Sequence, residues 1–386
     1  MAEQLSEQVP LTTILREWGR IGLVGFGGPP AHVTLLRQLC VERRAWFSDQ
    51  EFEDALATTN LLPGPASTQL AIFCGWRVRG RLGGFVAGVS FIVPGLIIIL
   101  TLSVLFFARD TPLWVKGAAL GAGAAVPAVA INAAWRLAAP SWRRANDAHA
   151  GPIRWCCYCG VGIVAAIFAG SSLILVLLLC GVTESFARGA GASRRSTLAF
   201  APAVLAPIAP GGLVALAWVA LKVGALSYGG GFVIIPLMQH DVVSTYHWMS
   251  GAQFLSAVAL GQITPGPVVQ TVAAVGYAAS GLKGGLLASL VAFAPSFGFV
   301  LVGAPHFQRL RTNSRVQSFL VGAGASVIGA IAGSSLPLAR ELSHFWQFAV
   351  AGLALVWLFA LRRSVVLALF GAGIVGVVAV LAGAPH

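Results

Sequence analysis

The chain has 386 residues, 57% of them hydrophobic and 10% charged, where a soluble domain carries about 25% charged residues. That excludes a soluble globular protein, a disordered chain and a small disulfide scaffold. Its 46 glycines and 20 prolines lie inside apolar runs, where helical membrane proteins tolerate them. The net charge of +12 fits basic cytoplasmic loops or a basic path for an anion. No separate basic domain points to nucleic acid.

In chain order, Met1 to Glu17 holds three Glu ahead of any long apolar run and reads as no cleavable signal peptide. The first apolar segment runs from about Ile14 to Phe26, breaks at Gly27-Gly28-Pro29-Pro30 and resumes to about Val41. A second runs from about Glu51 to Leu62, breaks at Pro63-Gly64-Pro65 and resumes to Val78. Long spans follow at about 82–107 and 114–136, then a charged loop from Leu137 to Arg154. Apolar stretches at about 155–169 and 171–186 precede a basic loop, Arg188 to Arg195. Cys156, Cys157 and Cys159 open the first of these stretches and read as small buried hydrophobes rather than a metal site. The plan then recurs. Segments at about 211–228 and 232–243 flank Gly229-Gly230-Gly231, and segments at about 252–263 and 268–280 flank Pro265-Gly266-Pro267. Spans at about 283–304, 316–337, 345–361 and 364–384 complete the chain.

The recurrence is an internal repeat. At a shift of 202, Gly22 falls on Gly224, Gly27-Gly28 on Gly229-Gly230, Trp46 on Trp248, Ser48 on Ser250 and Pro63-Gly64-Pro65 on Pro265-Gly266-Pro267. At 201, Pro94 meets Pro295 and Gly121-Ala122-Gly123-Ala124 meets Gly322-Ala323-Gly324-Ala325. The repeats are read as residues 1–200 and 201–386. The fold class is therefore an all-α polytopic membrane protein of two homologous repeats with discontinuous helices. The basic flanks of the long spans reverse their bias between halves: Arg77, Arg79 and Arg81 against Arg109 and Lys116, then Lys283 against Arg309, Arg311 and Arg315. Such a reversal fits inverted insertion.

Duplicated halves with paired breaks point to a secondary transporter. A broken helix leaves backbone groups unpaired, which lipid does not tolerate unless they face protein, water or substrate. Each break also creates a half-helix whose N-terminus carries free N–H donors and partial positive charge, a ready anion site. The four breaks are expected near the midplane at the repeat interface.

At these residues the sequence resembles the chromate ion transporter family in its long two-repeat form. The resemblance rests on Phe26-Gly27-Gly28-Pro29, Ala31-His32, Pro63-Gly64-Pro65 and Gln69, with Gly229-Gly230-Gly231 and Pro265-Gly266-Pro267 as the companion copy. It covers nearly the whole chain. It implies an inner-membrane protein that exports chromate and lowers its toxicity, with sulfate-like oxyanions as inhibitors or alternative substrates. The copies differ: Pro29 falls on Gly231, His32 on Ile234 and Gln69 on Thr271. An asymmetric site is expected.

A midplane site for a tetrahedral dianion needs N–H, hydroxyl or amide donors and a cation. Arg20 and Lys222 share one repeat position, about two helical turns before each Gly-Gly break, and an intramembrane cation is a functional candidate. His32 could donate to the anion or carry a coupled proton. Thr68, Gln69, Gln270 and Thr271 follow the two Pro-Gly-Pro breaks and could replace the anion's water; Asn60 and Gln262 precede them. Glu51, Glu53 and Asp54 read mainly as a helix start; Glu184 and Asp241 lie near the ends of apolar stretches, and either could be a proton relay.

No cofactor or resident metal is expected. No Gly-x-x-x-x-Gly-Lys-Ser/Thr loop marks ATP as the driver, and no nucleotide, haem or iron–sulfur motif supports a membrane-embedded reductase. Chromate and sulfate share shape and charge, so the physiological anion stays open, as do the coupling ion and a homodimer.

Overall fold

A computed structural model describes residues 9–108, 110–147, 151–189, 211–227, 231–304 and 313–385. Among them are fourteen α-helices and no strand. The first repeat holds α1 (Leu11–Val24), α2 (Pro29–Arg37), α3 (Asp49–Thr59), α4 (Ala66–Phe106), α5 (Leu113–Asp147), α6 (Pro152–Phe168) and α7 (Leu173–Gly189). The second holds α8 (Gly212–Leu226), α9 (Ile234–Gln239), α10 (Gly251–Ile263), α11 (Thr271–Gly303), α12 (Ser314–Arg340), α13 (Phe345–Leu355) and α14 (Val365–Leu381). Five helical stretches are long and apolar enough to cross a membrane: Ala66–Phe106, Leu113–Asn146, Gly170–Arg188, Val268–Gly303 and Ser314–Arg340. This is a multi-pass membrane protein.

The repeat is visible in local structure. Ser48 and Ser250 each cap the next helix through a reciprocal box, with Glu51 and Gln253 at the third helical position. Gln38–Arg43 and His240–Thr245 are both π-helical turns. α4 departs from helical geometry at Arg79 and Gly80, and α11 does so at Ser280 and Gly281. Each helix doubles back there, because Gly75 lies against Gly83 and Gly276 against Gly284. The apparent long helices are therefore hairpins, each with a short arm leading from a Pro-Gly-Pro break. This agrees with the segment ends read at Val78 and Ser280.

The repeats are intertwined. α6 and α7 of the first pack on α12 of the second, while α13 and α14 of the second pack on α5 of the first. Glycines permit the close approach: a Cβ on Gly162 would strike the Ser326 carbonyl, and one on Gly376 would strike Gly117. Such small-residue packing drives helix association in lipid. α4 and α11 also pack on each other.

Two expectations are corrected. The segment from Leu137 is helical through Asp147 rather than a loop. Trp155 of α6 donates to the Ser141 hydroxyl at 3.0 Å and stacks edge-on against Trp142, which holds α5 helical past Pro140. Cys156 and Cys157 are exposed on α6 rather than buried, since α6 turns other residues, such as Gly162 and Ala165, toward its neighbours. The basic loop after Gly189 lies outside the described residues.

Candidate functional site

The four breaks meet. α1 ends at Val24 and is capped by Gly25, and α2 begins at Pro29. Gly27 and Gly28 turn the chain with φ of 100° and 72°. Gly28 and Gly231 both close on Val268, which follows Pro267; their Cβ positions would lie 3.4 Å and 3.1 Å from it. Gly266 (φ 95°) donates its N–H to the Gly25 carbonyl at 3.2 Å. Gly64 (φ 113°) faces the Gly224 carbonyl of α8, 3.2 Å from its Cβ position. Each Pro-Gly-Pro break thus rests on the C-terminal turn of the broken helix from the other repeat.

The kinked helices complete this exchange. Gly95, after Pro94 of α4, lies against the Pro265 carbonyl and Gln270 Oε1 of the second repeat. Ser296, after Pro295 of α11, places its hydroxyl 3.3 Å from the Cβ position of Gly64 in the first. Sequence reading missed Ser296, although Pro295-Ser296 sits in register with Pro94-Gly95. The signal was available, but a serine on an apolar helix carries no weight until its neighbours are known.

The crossing is rich in buried polar atoms without partners. Thr68 Oγ1, Gln69 Oε1, Gln262 Nε2, Gln270 Oε1 and Ser296 Oγ are all in this state. Gln69 Nε2 donates to the Pro63 carbonyl at 2.6 Å and Gln270 Nε2 to the Ile92 carbonyl at 2.5 Å, so each amide keeps one N–H and its oxygen uncommitted. Unmet groups in such a setting cost about 1–3 kcal/mol each, and these five lie together at the breaks. Thr271 differs: its hydroxyl donates to its own Val268 carbonyl at 2.8 Å.

The N–H supply is uneven. Pro29 and Pro30 have none, and Ala31 and His32 donate back to Gly28 at 3.1 and 3.2 Å. The first break therefore offers no helix-terminal donors, against expectation. Ahead of α4, Thr68 and Gln69 both donate to Pro65, leaving Ala66 and Ser67 ahead of the first helical bonds. Ahead of α11, Gln270 donates to Pro267 and leaves Val268 and Val269 in the same position. The Pro-Gly-Pro breaks carry the donors. Gly229 and Gly230 lie outside the described residues.

His32 is fully buried with both ring nitrogens engaged. Nε2 donates to the Gly25 carbonyl at 2.9 Å, and Nδ1 accepts from the Ser67 hydroxyl at 3.2 Å. The partners assign the neutral Nε2–H tautomer. The ring also meets Phe91 edge-on. His32 ties the end of α1 to the start of α4, and the second repeat has Ile234 in its place.

The two paired cations separate. Arg20 is exposed on α1, with Glu17 as a neighbouring charge. Lys222 is buried on α8, two residues before Gly224, and pairs with Asp241. Asp241 also accepts from the Ser171 hydroxyl at 2.7 Å. Among the described residues Lys222 is the one buried Lys or Arg.

The acids flagged in the sequence have other partners. Glu51 caps α3, and the Ser48 N–H and hydroxyl hold its carboxyl below the usual carboxylate range. Glu53 and Asp49 pair with Arg37 at 2.7 and 2.5 Å. Glu184 is bound by Arg188 at 2.5 Å, Arg154 at 3.6 Å and the Tyr158 hydroxyl at 3.1 Å, within the α6–α7 hairpin. Asn60 lines a cavity of about 250 Å³ with Ser141, Arg144 and Gln317. A cavity of about 350 Å³ uses the corresponding face of α5, with Lys116, Ala119 and Leu120 beside Gln253 and Ser256 of α10.

The family described as "Chromate transporter" matches residues 12–184 and again 214–377. The chain belongs to the chromate transporter family. It is 32% identical over 374 residues to a "Chromate transport protein" of Cupriavidus metallidurans, covering 93% of this chain and 91% of the other. It is 30% identical over 382 residues to a "Chromate transport protein" of Pseudomonas aeruginosa, covering 92% and 89%. No solved structure matches it. The two family matches coincide with the two repeats whose breaks interlock.

Proposed function

We propose that this member of the chromate transporter family is a secondary transporter that exports chromate across the cytoplasmic membrane by alternating access and so confers chromate resistance. The observation that carries the reading is the crossing of the breaks, where buried donors on Thr68, Ser296 and Gln262 lack partners. The N-termini at Ala66–Ser67 and Val268–Val269 add backbone donors and positive dipole ends beside them. Arg20, Gly27, Gly28, His32, Lys222 and the remaining break residues divide between binding and support. Lys222 supplies cationic charge, the residues that follow the Pro-Gly-Pro breaks (Ala66 to Gln69 and Val268 to Gln270) supply donors, and His32, the prolines and the glycines hold the geometry.

The reversed basic flanks support halves inserted with opposite orientation, and the faces of α5 and α12 that line the two cavities match in the repeat, Lys116, Ala119 and Leu120 on Gln317, Leu320 and Val321. Arg144 and Lys116 give each mouth one cation. An inside-negative potential favours outward movement of an anion by about 2.3 kcal/mol per charge per 100 mV. A gradient in potential therefore suffices to drive export without ATP.

Uptake of chromate into everted membrane vesicles tests the reading, with and without excess sulfate. Energised uptake that sulfate leaves mostly intact supports a chromate exporter. Uptake erased by sulfate makes the protein a general oxyanion carrier, and no uptake overturns the proposal.

A further inference from the structure

We propose that Asp241 is a proton-binding site, and that one proton rides on its carboxylate with each dianion that Lys222 engages. The inference rests on the transport reading above and adds the coupling ion.

Lys222 and Asp241 are 7% and 5% exposed in their side chains. A lone charge at this depth is expensive, and removal of one partner of a buried pair leaves the other uncompensated. In the empty protein the pair is neutral, so the unloaded carrier moves no net charge on these groups. A dianion that draws Lys222 to itself leaves Asp241 without a cation. The dianion, the ammonium and the carboxylate would then sum to a charge of −2, with two like charges close together in a poorly screened interior. Protonation of Asp241 by a proton from the aqueous side converts the carboxylate to a carboxylic acid and leaves −1. Proton and anion therefore raise each other's affinity by the same factor.

Ser171 suits this exchange. Its hydroxyl donates to ionised Asp241 Oδ1 at 2.7 Å; after protonation the same hydroxyl can rotate and accept. It comes from Gly170–Ser172, the turn between α6 and α7 of the first repeat, so the proton site joins the two repeats. Asp241 itself lies in the π-helical turn after α9, a feature frequent at functional sites. Among the described residues, the other charged or titratable groups around it are few. His240, against whose ring Gly170 packs, and Tyr246 lie on its own segment. α10 contributes no titratable side chain, α12 only Arg315 and Arg340 near its ends, and Glu184 of α7 is bound by Arg154 and Arg188. The first repeat has Leu39 at the position of Asp241, so the device belongs to one half.

The test uses the full chain in proteoliposomes under potassium diffusion potentials and reads the chromate accumulation ratio at static head. One net charge per anion gives a tenfold change for each ~59 mV, against ~30 mV for two charges. A pH difference of one unit is expected to drive tenfold accumulation toward the alkaline side. Two charges with no response to the pH difference overturn the inference and leave chromate transport standing. Asp241→Asn is expected to abolish the pH response. If that variant keeps one charge and a full pH response, the proton travels on the oxyanion itself and Asp241 is not the site. Ser171→Ala removes a donor to the ionised carboxylate, so its pH–rate profile should move to higher pH; active protein with an unmoved profile counts against the site. No chromate uptake by the wild type overturns the transport reading and this inference together.

Discussion

Gly266 and Gly25, in different repeats, share a backbone hydrogen bond of 3.2 Å between the last helix break and the first. The same break packs Val268 against Gly28 and Gly231. The junction thus ties the two repeats together at their breaks, and its geometry leaves little slack.

Gly266→Ala puts a Cβ on a residue at φ 95°, a strain of about 1–3 kcal/mol. Loss of chromate transport at unchanged membrane abundance is expected, measured by vesicle uptake against quantitative immunoblotting. Gly371→Ala, at a glycine whose Cβ position is open, should change neither.

Ser296→Ala and Thr68→Ala remove hydroxyls that have no hydrogen-bond partner in the protein. Thermal stability in detergent should hold or rise slightly. A hydrogen bond to a charged group contributes about 1.5–3 kcal/mol, so the KM for chromate should rise roughly tenfold to a hundredfold. Lowered stability with unchanged KM would assign these hydroxyls to packing.

His32→Asn breaks one or both bonds that join Gly25 to Ser67. About 1–3 kcal/mol of stability should be lost, seen as a lower midpoint in thermal unfolding. The pH profile of the remaining transport should keep its shape, because the ring is neutral and fully bonded. A displaced profile would show His32 titrating in the cycle.

Lys222→Gln leaves Asp241 buried without its cation, at about 3–5 kcal/mol. The double variant Lys222→Gln, Asp241→Asn should recover folded protein but not chromate transport. Arg20→Gln removes an exposed charge and should leave the KM within about fivefold, since surface charges contribute at most about 1 kcal/mol. Recovery of transport in the double variant would demote the pair to a structural role.

Much of this was legible in the chain. The two Pro-Gly-Pro breaks, the first Gly-Gly break and the segment end at Val78 stand where the residues place them, because Pro and Gly act on the backbone locally. The donors of the first break were misjudged: two consecutive prolines remove the N–H groups that a half-helix start otherwise offers. Arg20 and Lys222 looked equivalent at one repeat position, yet one is exposed and the other is buried with Asp241. Ser171 gave no sign at all, being one serine in an apolar hairpin.

Composition, hydropathy and repeat register alone determined a duplicated helical membrane protein with four discontinuities. Those properties depend on neighbours within a few residues and on the exclusion of unpaired backbone from lipid. The tertiary structure decided which break meets which, that each terminal hairpin packs on the opposite repeat, and which of two matched cations is buried. These depend on contacts between residues far apart in the chain, such as Ser171 and Asp241 or Gly64 and Gly224. A local pattern repeated in both halves cannot encode the difference between them.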